Sequence, residues 1–150
     1  MNKIIIPILA FLFLTSCGYT PIYSKKNFDL KIDNIVSTKN NYLNSKIKRK
    51  LNSFSNPKSQ KIVSLKVDVQ RKINILSKDS KGDPSRYEMT INISLEAAYG
   101  QNQNISKSFQ KRFNYNANSN KFELKQYEKE IEDLLINKII DLIIIYLSKA

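Results

Sequence analysis

Two runs of alternating residues constrain this chain more than anything else in it. Val63, Leu65, Val67, Val69, Ile73 and Ile75 fall on odd positions, with Lys66, Asp68, Gln70, Lys72 and Asn74 between them. Successive side chains of a strand point to opposite faces, so a period of two means one buried face and one wet face. The odd alternation resumes at Tyr87 and continues through Met89, Ile91, Ile93, Leu95, Ala97 and Tyr99. Between the runs stands Lys78-Asp79-Ser80-Lys81-Gly82-Asp83-Pro84, dense in turn formers. The pattern predicts strands over about 62–76 and 87–99, joined as a long antiparallel hairpin. Only Arg71 interrupts the apolar face. A hairpin with one apolar face must be covered, and the rest of the chain has to supply the cover.

The flanking segments supply it. Phe28, Leu30 and Ile32 alternate with Asp29, Lys31 and Asp33, which predicts a strand over 28–36. Leu43, Ile47, Leu51 and Phe54 recur at helical spacing with Lys46, Lys48, Arg49 and Lys50 between them, an amphipathic helix over 40–54. Ile105, Phe109, Phe113 and Tyr115 mark a fourth strand over 105–115, where Lys107 and Lys111 suit a guarded edge. Asn120 followed by Glu123 has the form of a variant capping box opening a last helix over 121–148. The expected architecture is α+β, a two-layer sandwich of element order β-α-β-β-β-α. Its four-stranded, largely antiparallel sheet carries two helices on one face. The other face shows Lys66, Lys72, Arg86 and Arg112.

The last helix is apolar over more of its circumference than one sheet can cover. At 100° per residue, Ile131, Leu135, Leu142 and Tyr146 mark a core stripe, with Asp133, Asn137, Asp141 and Ser148 opposite it. Ile140 and Ile144 fall on that opposite, polar side. Either the first helix and the loop ends bury this excess, or it is a second face for a partner protein with Ile140 and Ile144 as its contacts. Asp133, Lys138 and Asp141 interrupt the helix, so it is not expected to span a membrane.

Composition narrows the chemistry. The chain has no histidine, which removes Ser-His-Asp and Cys-His catalysis and the usual zinc sites. Three glycines leave little material for a phosphate-cradling loop. No cofactor, metal site or enzyme activity is expected. With 25 Lys+Arg against 13 Asp+Glu, the net charge of +12 implies an anionic partner.

The N-terminus explains where that partner would be met. Lys3 precedes an apolar run from Ile4 to Leu14, too short to span a bilayer and of the length of a secretory signal. The run closes on Leu14-Thr15-Ser16-Cys17, which resembles the lipobox of bacterial lipoproteins. The resemblance implies cleavage after Ser16 and acylation of Cys17, as S-diacylglyceryl and N-acyl cysteine. Cys17 is the one cysteine in the chain. Residues 1–16 are then a signal peptide, 17–27 a lipidated tether, and 28–150 a single domain. The mature chain carries +11, because removal of Lys3 leaves 24 basic residues against 13 acidic. Gly18, rather than aspartate, favours the outer membrane, with the domain on its periplasmic side. Export argues against a nucleic-acid partner.

The opening Cys17-Gly18-Tyr19-Thr20-Pro21-Ile22-Tyr23, followed by the order β-α-β-β-β-α, resembles the family of the lipopolysaccharide-assembly lipoprotein LptE. That family commonly begins Cys-Gly-aromatic-x-Pro-Leu-Tyr; here Ile22 stands for the leucine. The resemblance implies a plug inside an LptD-type outer-membrane β-barrel, which it helps to assemble, and a part in lipopolysaccharide transport to the outer leaflet. The family's lipid A-binding positions cannot be aligned onto this chain. The candidates drawn from its own residues are Lys78, Lys81 and Arg86, at or beside the hairpin turn, where clustered cations could meet phosphates. Two other readings stay open: an auxiliary lipoprotein of an ABC-type lipid-trafficking system, and a lipoprotein that activates a peptidoglycan synthase. The short tether disfavours the second.

Overall fold

The computed structural model describes residues 28–39, 41–100 and 103–150. Cys17, the signal segment and the tether with Tyr19, Ile22 and Tyr23 lie outside the described residues. The elements run β1 (Lys31–Val36), α1 (Tyr42–Asn52), β2 (Ile62–Lys78), β3 (Pro84–Tyr99), β4 (Gln103–Asn116) and α2 (Lys121–Lys149). The strands lie in the order β1-β2-β3-β4. β1 pairs with β2 in parallel, through the α1 crossover, and the other two pairings are antiparallel. The α+β two-layer layout expected from the sequence is the one observed. β1 begins later than the alternation suggested, although Phe28 and Leu30 are buried.

Register carries the odd positions across the sheet. Val69 stands opposite Ile93, which stands opposite Phe109; Ile73 stands opposite Met89, which stands opposite Phe113. Together with Ile47 and Leu51 of α1 and Ile139 and Ile143 of α2, the odd face closes into one core. At the far end of the hairpin the register slips. Ile75 pairs with Tyr87 but Ser77 with Arg86, so Leu76 is an extra residue on β2, a β-bulge. Ser85 is skipped on β3 in turn, which restores the register, and pairing runs on to Lys78 and Pro84, beyond the limits read from the sequence.

β1 ends opposite Lys66 and leaves the edge of β2 bare beyond it. Side chains fill the gap. Val69 N donates to Asn44 Oδ1 at 2.9 Å, and Thr38 donates to Asp68 through its backbone N at 3.0 Å and its hydroxyl at 2.6 Å. Asn44, in the first turn of α1, is itself buried, so it pins the helix to the strand. Asn41 caps that helix, accepting from Asn44 N at 2.9 Å. Asn120 caps α2, accepting from Phe122 N and Glu123 N, while its amide donates to Glu123 Oε1 at 2.9 Å.

The stripe assigned to α2 needs correction. Leu142 is 37% exposed, whereas Ile140 and Ile144, the candidate contacts of a partner face, are 3% and 6% exposed and belong to the core, so the excess is buried within the fold. The buried positions follow the rows 131-135-139-143-147 and 132-136-140-144. Each four-residue step advances about 40° around the axis, so a stripe on these rows winds around the helix instead of running straight along it. Over 29 residues, about 43 Å, α2 follows a twisted sheet on one side and α1 on the other. Leu142 lies about 20° from Ile131 in projection, but by that level the covered arc has moved past it. Ile140 and Ile144 continue the row of Glu132, to which α1 is bonded, and so face inward.

Candidate functional site

The hairpin end brings the three predicted cations into one neighbourhood. Asp79 organises the turn: its Oδ1 accepts from the backbone N of Lys81 and of Asp83, both at 2.9 Å, and its own N donates to Asp83 O at 2.8 Å. Gly82 sits at φ +87°, the left-handed region where a Cβ is disfavoured. Ser77 and Ser85 bond across the strands at 2.8 Å. Lys78, Lys81 and Arg86 are all exposed around this rigid turn, and so are Ile75 and Leu76 just below it. Asp79 and Asp83 share the turn with them, which tempers the local positive charge.

A second polar cluster was missed by sequence reasoning. Arg71, the interruption on the odd face, points with that face toward α2. It meets Glu128 at 3.1 Å and Glu132 at 3.5 Å, one helical turn apart. Glu128 also accepts from the Tyr115 hydroxyl at 2.7 Å, and Glu132 accepts from Lys46 of α1 at 3.0 Å. Lys46 bonds Asp133 at 2.7 Å as well. Burial disfavours the Lys46 charge, but Asp133 and Glu132 together outweigh it and raise its pKa above the ordinary lysine value. Burial, then the bond to Glu128, pushes the Tyr115 phenol well up. The signal was available in outline: an arginine on an apolar face requires buried carboxylates nearby, and Glu128 and Glu132 share one helix face. The cluster joins β2, β4, α1 and α2 and acts as a structural clamp, since each charged member is already partnered.

The opposite face of the sheet is largely polar, with Val36 and Ile62 exposed at its β1 edge. The register sets Gln70, Asn92 and Gln110 in one row and Lys72, Thr90 and Arg112 in another. Lys66, Lys72, Arg86 and Arg112 are exposed there, as the alternation predicts. Lys66 pairs with Glu96 at 3.1 Å, and Ser108 donates to Asn92 at 2.7 Å. A shallow hollow of about 370 Å³ lies between Val36, Lys66, Glu96 and Ser106, walled by that ion pair. On the edge strand, Lys107 folds over the Tyr146 ring at 4.6 Å, so the guard residue is held by a cation–π contact. Among the described residues no group of acidic side chains could hold a metal ion, and no helix is long and apolar enough to cross a membrane.

The fold is similar to that of several bacterial lipoproteins. The rare lipoprotein B of Shewanella oneidensis superposes with a TM-score of 0.58 at 15% identity, covering 80% of this chain and 93% of that one. A minor lipoprotein of Acinetobacter baumannii gives 0.58 at 12%, covering 81% and 92%. Lipoprotein B of Nitrosomonas europaea gives 0.52 at 14%, covering 86% and 91%. No protein-family model matches the sequence, and no curated protein matches it.

Proposed function

We propose that this chain is a lipid-anchored protein of the outer membrane that plugs an LptD-type β-barrel, helps the barrel assemble and takes part in lipopolysaccharide delivery to the outer leaflet. One observation carries the proposal: a clamped α+β body, of a fold shared with bacterial lipoproteins, exposes a largely polar sheet face. Barrel lumens are polar, so a body seated in one needs such a surface. Cys17 supplies the tether. Lys78, Lys81 and Arg86 are the proposed contacts for lipid phosphates at the hairpin end, supported by their exposure on a rigid turn. A triple alanine variant should lose lipopolysaccharide binding, and unchanged binding would remove these residues from the proposal.

The experiment that tests the whole reading is a mild-detergent pull-down of the intact protein from its native cell, with mass spectrometry of what accompanies it. One large outer-membrane barrel in stoichiometric yield is the expected result. Recovery of an inner-membrane permease instead would replace it with the ABC-auxiliary reading. Recovery of a peptidoglycan synthase would replace it with the activator reading.

A further inference from the structure

The two ends of this domain differ in charge. β3 has 16 residues and is therefore about 50 Å long, with the hairpin turn at one end. At the other end the described chain begins at Phe28, beside the starts of β1 and β2, the loop before β2, and the last turn of α2. The arrangement is fixed by Lys31 N donating to Lys61 O at 2.8 Å, Asn56 N donating to Leu30 O at 2.9 Å, and the Tyr99 hydroxyl donating to Leu147 O at 3.2 Å. Lys31, Lys58, Lys61 and Lys149 all belong to this end. The acidic side chain in the same segments, 28–31, 56–62, 99–100, 103–104 and 147–150, is Asp29 alone. At the hairpin end, segments 77–88 and 116–123 hold Lys78, Lys81, Arg86 and Lys121 against Asp79, Asp83, Glu88 and Glu123, four against four. A single phosphate responds to local donors, but a diffuse charged surface responds to net charge.

We infer that the end where the tether enters docks on the headgroups of anionic phospholipid in the membrane that holds the acyl chains. Between Cys17 and Phe28 there are eleven residue steps, so the tether can hold Phe28 no more than about 40 Å from the anchor. The four lysines are thereby confined near that surface whatever the orientation of the body. Lys58, Lys61 and Lys149 are exposed and Lys31 is half-exposed, and among the described residues no acidic side chain forms a salt bridge with any of them. Lys61 is poised over the Tyr99 ring at 5.2 Å, an aromatic of the kind that sits at headgroup level. Docking through this end fixes the orientation: with the four lysines at the headgroups, the hairpin turn lies about 50 Å away along the long axis of the body. A tether alone does not set that direction.

The inference rests on the anchor part of the proposed function, and the two can fail separately. Acylation of Cys17 is read from the mass of the membrane-extracted protein. Docking is read from the chain beginning at residue 17 with Cys17→Ser, which carries no lipid. That chain should co-sediment with phosphatidylcholine vesicles containing about 30% phosphatidylglycerol, and not with phosphatidylcholine alone. Replacing Lys31, Lys58, Lys61 and Lys149 with Gln should lower the partition coefficient by about a hundredfold or more, given a gain of severalfold per basic residue near an anionic surface. The control of equal charge replaces Lys121, Lys125, Lys129 and Lys138, all exposed on α2, and should lower it less than about fivefold. Equal losses in the two variants, or no dependence on phosphatidylglycerol, would overturn the inference. Acetylation footprinting of the Cys17→Ser chain needs no lysine variant. Vesicles should protect Lys58, Lys61 and Lys149 more than Lys125 and Lys138, and uniform protection would again overturn it.

Discussion

The winding stripe on α2 predicts opposite outcomes for two residues half a turn apart. Ile140 is 3% exposed and Leu142 is 37% exposed. Truncating Ile140 to alanine removes three carbons from the core, about 2.4 kcal/mol at roughly 0.8 kcal/mol per methylene. The cavity left behind adds to this, for about 3 kcal/mol in all. Truncating Leu142, with part of its side chain already in water and no enclosed void left behind, should cost about 1 kcal/mol or less. The assay is urea unfolding of the Cys17→Ser chain followed by circular dichroism. At an m-value of about 1.5 kcal/mol/M the midpoints should fall by about 2 M for Ile140→Ala and by less than about 0.7 M for Leu142→Ala. If the stripe ran straight along the helix, Ile140 would lie about 180° from Ile131 and Leu142 would lie over the core. The two costs would then be reversed, and that result would refute the account of how α2 packs.

The clamp and the turn give further expectations. Because the folded-state pKa of Tyr115 is raised above its ordinary 10.0, its contribution is whole below pH 10 and is lost as pH rises through the folded value. Stability should therefore fall from about pH 10 upward, and Tyr115→Phe should flatten that slope while costing about 1–2 kcal/mol at pH 7. Lys46 acts in the same direction, so a Lys46→Met variant should lose stability at pH 7 and show a shallower alkaline decline above pH 10.5. Asp68 has the opposite sign: the Thr38 hydroxyl, then its backbone N–H, holds the carboxylate pKa below 3.8. Its contribution is present above that pH and lost below it, so Asp68→Asn should remove part of the acid-side loss and speed amide exchange at Thr38. Gly82→Ala meets no atom within 4 Å but must hold φ +87°, so it should cost about 1–2 kcal/mol, read as a lower urea midpoint.

Much of this fold is legible in the chain because strands with one wet face write their pattern at a period of two, a signal that survives without neighbours. The hairpin from Val63 to Tyr99, the guarded edge with Lys107 and Lys111, and the Asn120 cap follow from spacing and local chemistry alone. The cations of the hairpin turn stand out by local composition, and the structure places Lys78, Lys81 and Arg86 exposed around it. Leu76 was not: a bulge adds one residue on one strand, and only the pairing of Ile75 with Tyr87 and Ser77 with Arg86 displays it. What tertiary structure decided is which residues meet across elements. Arg71 breaks the alternation in sequence and becomes, in space, the link to Glu128 and Glu132. The assignment of Ile140 to the core and Leu142 to the surface has the same origin. A helix carries its own period of 3.6, but the arc that is covered at each level is set by the twist of the sheet beneath it and by α1 beside it. The segregation of charge between the two ends is likewise invisible along the chain, because Lys31, Lys58, Lys61 and Lys149 come together only when parallel pairing and the return of α2 bring their segments to one end.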